Sequence, residues 1–300
     1  MFTHEELKAR QKGIGASEIA IVLGCSPFSN RYELYHEKIA EDPRSLTSYM
    51  DKEPHIRWGR RLEDPIAEEY AERTSALLTK CETTLHNEHP LFYATPDRIA
   101  TFSDGSKIGL EIKNVTDPSS FNLWGASGSQ VIPEYYYTQV AQSLFVFDFE
   151  RWDVAALLGG GNFRIYTFYR DHEFDSIIME AGHAFWKDHV LKRNAPDPSE
   201  EFVNARARDF LKRLYPTVEV TEIKLPSSLM KWVEIRKEGK TLAKQYADAA
   251  SIAEAHIMHH MGSHSKGVLP DGSYFLRSIV NKKTYTVEAH EELRFTYKEK

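Results

Sequence analysis

The sequence predicts an α/β or α+β sandwich, a central mixed sheet covered by helices on both faces, continued by a C-terminal helical arm and β-hairpin. Three observations carry this expectation. Helical spacing dominates the N-terminal stretch, a meander of strand-like segments fills the middle, and helical spacing returns before Pro196 and Pro198. With 300 residues, 41% of them hydrophobic and 27% charged, the chain can bury a sizeable core as one large domain or two ordinary ones.

"SEIAIVLG" opens a helix that Ser17 is placed to cap; Ile19, Ala20, Val22 and Leu23 form its apolar stripe and Gly24 ends it. "RYELYHEKIAED" and "WGRRLEDPIAEEYAERTS" repeat the helical period. Leu62, Ile66, Ala67 and Tyr70 share one face of the second, and Pro65 fits its first turn. "YATPDRIATFSDGSKIGLEIKNV" then reads as two strands around a tight turn. "PEYYYTQVAQSLFVFD" is a helix by the spacing of Tyr137, Val140, Ala141 and Leu144, and "RWDVAALLGGGNFRIYTFYRD" is two strands joined by glycines. "DSIIMEAGHAFWKDHVL" closes a main domain, residues 1–195, as a helix. "APDPSEE" marks its boundary, because each proline removes a backbone donor and biases its predecessor away from helix. In the extension, residues 196–300, "ARARDFLKRLYP" is a short basic helix. A long one spans 227–261, with Leu229, Trp232, Val233, Leu242, Tyr246, Ala249, Ala253 and Ile257 near helical spacing and Gly239 as a weak point. The tail reads as a hairpin around "NKK" and a final extended segment.

No apolar run approaches the roughly 20 residues that span a bilayer, and "MFTHEELKARQKG" lacks a secretory apolar core, so a soluble cytoplasmic protein is expected. Cys25 and Cys81 are too few for a disulfide framework, an all-cysteine zinc site or an iron–sulfur cluster, and read as buried small hydrophobes. The net charge of −6 argues weakly against nucleic acid. It hides an asymmetry, since residues 1–200 carry 21 Lys+Arg against 31 Asp+Glu and residues 201–300 carry 17 against 13. The basic surplus makes the extension a candidate DNA-tracking arm.

Chemistry concentrates in "GLEIKN". A strand period of two puts Glu111 and Lys113 on one face and Leu110 and Ile112 on the other. If the turn is the three residues "SDG", with Gly105 left-handed, Thr101 pairs with Lys107 and Asp97 falls opposite Glu111; a two-residue loop would separate them. Two carboxylates and an ammonium on one face suit a hard divalent cation, Mg²⁺ or Mn²⁺, with the lysine orienting water or offsetting charge. Taken alone, E-x-K is as common on any solvent-facing sheet. Pro96-Asp97, thirteen residues, then Glu111-Ile112-Lys113 on strand–turn–strand is the pattern of the PD-(D/E)XK (restriction-endonuclease-like) nucleases.

"RQKGIGASEIAIVLGCSPF", "WGRRLEDPIAEEY", "ATPDRI…GLEIKN" and "YYYTQVAQSLFV", in that order, resemble the YqaJ-type viral recombinases and phage lambda exonuclease over about residues 10–190. The order of four motifs is far more specific than any one. The resemblance implies a Mg²⁺-dependent exonuclease that degrades double-stranded DNA from a 5′ end in phage-type recombination, in a bacterial or phage-infected cell. It further implies a homotrimer and a single-strand annealing partner. By the same resemblance Asp97, Glu111 and the Ile112 carbonyl match metal ligands, Lys113 the catalytic lysine, Glu63 a helical glutamate at the metal, and Gln139, ahead of Gln142, a glutamine that arranges the site. Arg10 and Ser17 match positions that grip the 5′-phosphate; Lys12 competes with Arg10 on spacing, and Ser17 also reads as a plain cap. A restriction- or repair-type endonuclease with the same centre, and a non-catalytic DNA-binding assembly protein, are the competing readings. "HIMHH" lacks the Glu of a zinc motif and "GGGN" has no helix or lysine after it, so the first reads as a solvated face and the second as a hairpin turn.

Overall fold

The structure, a computed structural model, describes residues 3–47, 53–202, 206–217, 219 and 221–279. The chain divides into two compact units, Met1–Pro216 and Thr217–Lys300.

In the first unit, α1 (His4–Arg10) starts at a Thr3 cap that closes a reciprocal box with Glu6. β1 (Ile14–Gly15) leads through a 3-10 turn (Ala16–Glu18) into a short α2 (Ile19–Val22). The Glu18 carboxylate accepts from the Gly15 N–H at 2.8 Å, so Glu18 closes this turn and the exposed Ser17 does not cap it. Gly24, at φ +78°, ends the segment as expected. Asn30 caps α3 (Arg31–Ile39), and α4 (Arg44–Thr47) follows. α5 (Pro54–Thr74) is longer than its sequence period suggests. Pro54 holds the first turn, whereas Pro65 lies inside the helix, where its ring leaves the Arg61 carbonyl without an intrahelical donor. Burial of Ile66, Ala67 and Tyr70 in the cluster that includes Leu110 and Ile112 holds the helix together there.

The strands are β2 (Leu77–Thr79), β3 (Thr84–Leu85), β4 (Phe92–Ala94), β5 (Arg98–Thr101) and β6 (Lys107–Val115), then β7 (Arg151–Leu158) and β8 (Asn162–Tyr169) after the helix α6 (Glu134–Phe147). Five form the central sheet in the order β2-β5-β6-β7-β8, with β6 and β7 parallel and the other neighbours antiparallel. This is the expected mixed sheet flanked by helices. β1, β4 and β3 make a second, smaller sheet, so the apparent first strand is broken between Ala94 and Arg98, where Pro96 has no N–H to offer a ladder. The turn is the three-residue form: Thr101 pairs with Lys107, Phe102 N–H donates to the Ser106 carbonyl, and Gly105 has φ +84°.

α5 packs on the face of the sheet carrying Leu110 and Ile112, while α6 sends Val140 and Leu144 to the strands β7 and β8 on the other side. α7 (His172–Phe185), capped by Asp171 and prolonged by a π-helical turn (Trp186–Leu191), packs with α2 and α6 around Ile14, Phe92 and Phe145. α8 (Pro198–Glu201) and α9 (Arg206–Leu214) belong to this unit, although the proline boundary places them in the extension. Glu201 accepts from the Arg31 side chain at 2.7 Å, and Phe210 is fully buried against Tyr32 and Leu46. Cys25 and Cys81 are both part-exposed rather than buried.

In the second unit, α10 (Met230–Met261) is the expected long helix. β9 (Lys266–Val268) pairs antiparallel with β10 (Tyr274–Leu276), so the strand at Tyr274 pairs backwards; the "NKK" turn lies outside the described residues. Among the described residues no helix is long and apolar enough to cross a membrane.

Candidate active site

Asp97 sits in the gap between the two sheets, just before β5. Its backbone is out of the ladder, and its Oδ2 instead accepts from the Ile112 N–H at 2.7 Å. Along a strand a residue's N–H and C=O face the same neighbour, so the Ile112 carbonyl lies on the Asp97 side as well. Glu111, 5% exposed, accepts through one oxygen from Lys113 Nζ at 2.6 Å and from Gln139 Nε2 at 2.7 Å. Gln139 Oε1 in turn accepts from Lys113 Nζ at 3.1 Å, and the Tyr136 ring lies under that ammonium at 4.5 Å. Thus β6 supplies the two charges and α6 supplies the amide and the ring that hold them.

Burial and then the Glu111 charge push the Asp97 carboxyl well above the usual carboxylate range, against Lys113 and the Ile112 N–H. Burial works against the Lys113 ammonium, but Glu111, Tyr136 and Asp97 outweigh it and hold the pKa above the ordinary lysine value. Lys113 is therefore a cation and a donor here. The site favours added positive charge. Asp97 Oδ1 and Glu111 Oε2 have no hydrogen-bond partner among the described residues, which leaves two hard oxygens beside the Ile112 carbonyl, a donor set that fits Mg²⁺ or Mn²⁺.

Glu63 has no direct hydrogen bond to Asp97 or Glu111 among the described residues. It accepts from Arg98 at 2.6 Å, and the same guanidinium also bonds Asp64 and the Asp97 carbonyl. Arg98 is 5% exposed and shares its strand face with Leu110; by bonding Glu63 and the Asp97 carbonyl through one nitrogen it keeps Glu63 near enough for its charge to add to the rise at Asp97. Among the described residues no three His, Cys, Asp or Glu side chains cluster as a metal cage. Gln142 is fully buried and donates to the Ile14 and Tyr93 carbonyls, so it clamps β1 to β4 and takes no part in the site.

Arg10 lies 3.8 Å from Glu18 and over the Tyr93 ring, with Ser17 exposed beside Glu18 and Lys12 exposed after α1. Lys38, whose side chain is 2% exposed, donates to Glu18 at 2.6 Å and to the Arg10 carbonyl at 2.8 Å. Burial would raise the Glu18 carboxyl, but Lys38 and Arg10 outweigh it and hold Glu18 below its ordinary value. Arg98, Tyr136 and Lys38 escape sequence reading. For Lys38 the one signal is its place at i+3 and i+4 from Tyr35 and Leu34, on the buried stripe of α3.

A split-strand Pro-Asp is followed by Glu-x-Lys on the next strand, in a mixed sheet between helices, which is the arrangement that the PD-(D/E)XK pattern in the sequence leads one to expect. Among solved structures the chain is similar to LHK-Exo in complex with dAMP (TM-score 0.49, 16% identity, 71% of this chain and 98% of that one). It is also similar to LHK-Exo described as an alkaline exonuclease from Laribacter hongkongensis (TM-score 0.46, 17% identity, 64% and 97%) and to a phage-related exonuclease from Haemophilus somnus 129PT (TM-score 0.40, 14% identity, 60% and 96%). Residues 7–150 match the model of the YqaJ-like viral recombinase domain. The chain's homology extends to uncharacterized protein YqaJ of Bacillus subtilis (strain 168), with 27% identity over 307 residues, 99% of this chain and 90% of that one.

Proposed function

We propose that this protein is a Mg²⁺-dependent exonuclease that hydrolyses double-stranded DNA from a 5′ end, in phage-type recombination inside the cell. The observation that carries the reading is the closed Glu111–Lys113–Gln139 triangle beside Asp97, because it presents two carboxylate oxygens and one ammonium to the same small volume. A divalent cation bound there supplies Lewis-acid polarisation of a phosphodiester and an acidified water. Asp97 and Glu111, with the Ile112 carbonyl, would hold that cation, and Glu63, bonded to Arg98 through one oxygen only, would be a further ligand through the other. Lys113, kept protonated, donates to the attacking water or to the phosphoryl oxygens as their charge builds. Gln139 sets the direction of Lys113 by accepting from it while donating to Glu111.

Arg10 and Ser17 are the proposed grip on a terminal 5′-phosphate. Support comes from the fixed position of the guanidinium between Glu18 and Tyr93, with the exposed Ser17 next to them. A ring-shaped trimer and a single-strand annealing partner belong to the same family reading.

The test is a panel with Mg²⁺: a 5′-phosphorylated linear duplex, the same duplex without the phosphate, and a covalently closed circle. We expect the first to be degraded fastest and the circle to survive. Cutting of the circle would favour an endonuclease. Equal rates on the two linear ends would remove the Arg10–Ser17 grip, and no Mg²⁺-dependent loss of any duplex would leave a DNA-binding assembly protein.

A further inference from the structure

We infer that Lys38, buried on α3, is the positioning residue of the Arg10–Ser17 grip: it fixes Arg10 at both ends and balances the carboxylate that aims its guanidinium. The inference rests on the reading of that grip proposed above. Lys38 Nζ donates to the Arg10 carbonyl at 2.8 Å, which pins the backbone where α1 ends. It also donates to Glu18 Oε2 at 2.6 Å, while the other oxygen, Oε1, stands 3.8 Å from the Arg10 guanidinium. At 2% exposure the Lys38 side chain is out of reach of a DNA end, whereas the Arg10 side chain is 28% exposed.

The two oxygens of Glu18 are used unequally. Oε2 accepts from Lys38, from the Gly15 N–H at 2.8 Å and from the Tyr93 hydroxyl at 3.4 Å. Oε1 orients Arg10 from beyond hydrogen-bonding distance, which aims the guanidinium without closing a bidentate pair on it. Burial works against the Lys38 ammonium and Glu18 opposes that pull, while Glu18 is itself held below its ordinary value. The formal charges of Arg10, Glu18 and Lys38 leave one positive charge, where Arg10 with Glu18 alone would leave none. A terminal phosphate carries roughly −1.5 to −2 at pH 7, so a neutral pair would hold it poorly. A buried ion pair is often no more stabilising than packed apolar side chains of the same volume, so stability alone does not account for a lysine here.

The test uses the full chain with Mg²⁺ and the ratio of kcat/KM on the 5′-phosphorylated linear duplex to that on the same duplex without the phosphate. This ratio does not depend on how much of a variant is folded. Lys38→Met lets Glu18 close on Arg10, and the ratio should fall about tenfold or more, through KM of the phosphorylated duplex. Lys38→Arg, which keeps a cation against Glu18, should hold the ratio within about threefold of wild type. Glu18→Gln with Lys38→Met removes both charges together and should recover most of the loss. A wild-type ratio of one removes the grip itself, and the inference with it. Where the wild type prefers the phosphate, the inference is overturned if Lys38→Met keeps that preference, or if all three variants lose it alike, which would make Lys38 a packing residue only.

Discussion

Gln139 binds both charges of the centre at once, so its loss and the loss of Lys113 should differ in kind. Lys113→Met removes the cation proposed to meet the developing charge, and kcat should fall on the order of 10²–10³-fold. Gln139→Ala leaves the cation present but poorly aimed, for a fall of roughly ten- to a hundredfold. Rates of nucleotide release from a linear duplex, at matched thermal stability, check the order. Glu37 shows the opposite economy. Burial and then Glu18 push its carboxyl up to about 7, with Glu33 adding to the shift while Lys38 and Arg213 oppose it. Below its ordinary value of 4.5 the folded and unfolded chains both hold the proton. As pH rises through 7 the unfolded chain has released it first, so stability falls over that window. Glu37→Gln should therefore gain stability over wild type with rising pH, by about 1–3 kcal/mol at pH 8, read from melting curves between pH 5 and 8.5.

At the scale of elements, the hairpin that carries Glu111 and Lys113 was legible from its own residues. The strand period set its faces, and a glycine in the one position that needs positive φ set its register. What lies far apart in sequence was not. The pairing of Arg98 with Glu63 depends on how α5 crosses the sheet, and no local period reports that. Pro65 was misplaced for the same reason, since packing of Ile66 and Tyr70 sustains a helix through a residue that local propensity reads as its start. Strand β6 also depends on a neighbour. Gly109 pairs with the fully buried Trp152, and a Cβ there would lie 2.2 Å from the indole. Gly109→Ala should cost about 1–3 kcal/mol, visible in denaturant midpoints, and should lower activity with it because Glu111 rides on the same strand.

For the whole molecule, the burial of α9 through Phe210 makes Pro216, and not the earlier prolines, the end of the first compact unit. A chain stopped at Pro216 should keep its melting temperature within a few degrees, whereas one stopped at residue 195 should melt well below it; calorimetry decides. The spacing of the centre along the chain has its own consequence. The bonds that assemble it join residues 15, 26 and 28 apart, while the one from Tyr93 to Arg10 joins residues 83 apart and the Gln142 clamp reaches 128. Closing short loops costs little entropy, so the hairpin of Glu111 and Lys113 and α6 form a contiguous cassette that can condense early. The surface proposed to recognise the DNA end depends on distant segments and would be completed later, which lets evolution retune the choice of substrate without disturbing the chemistry.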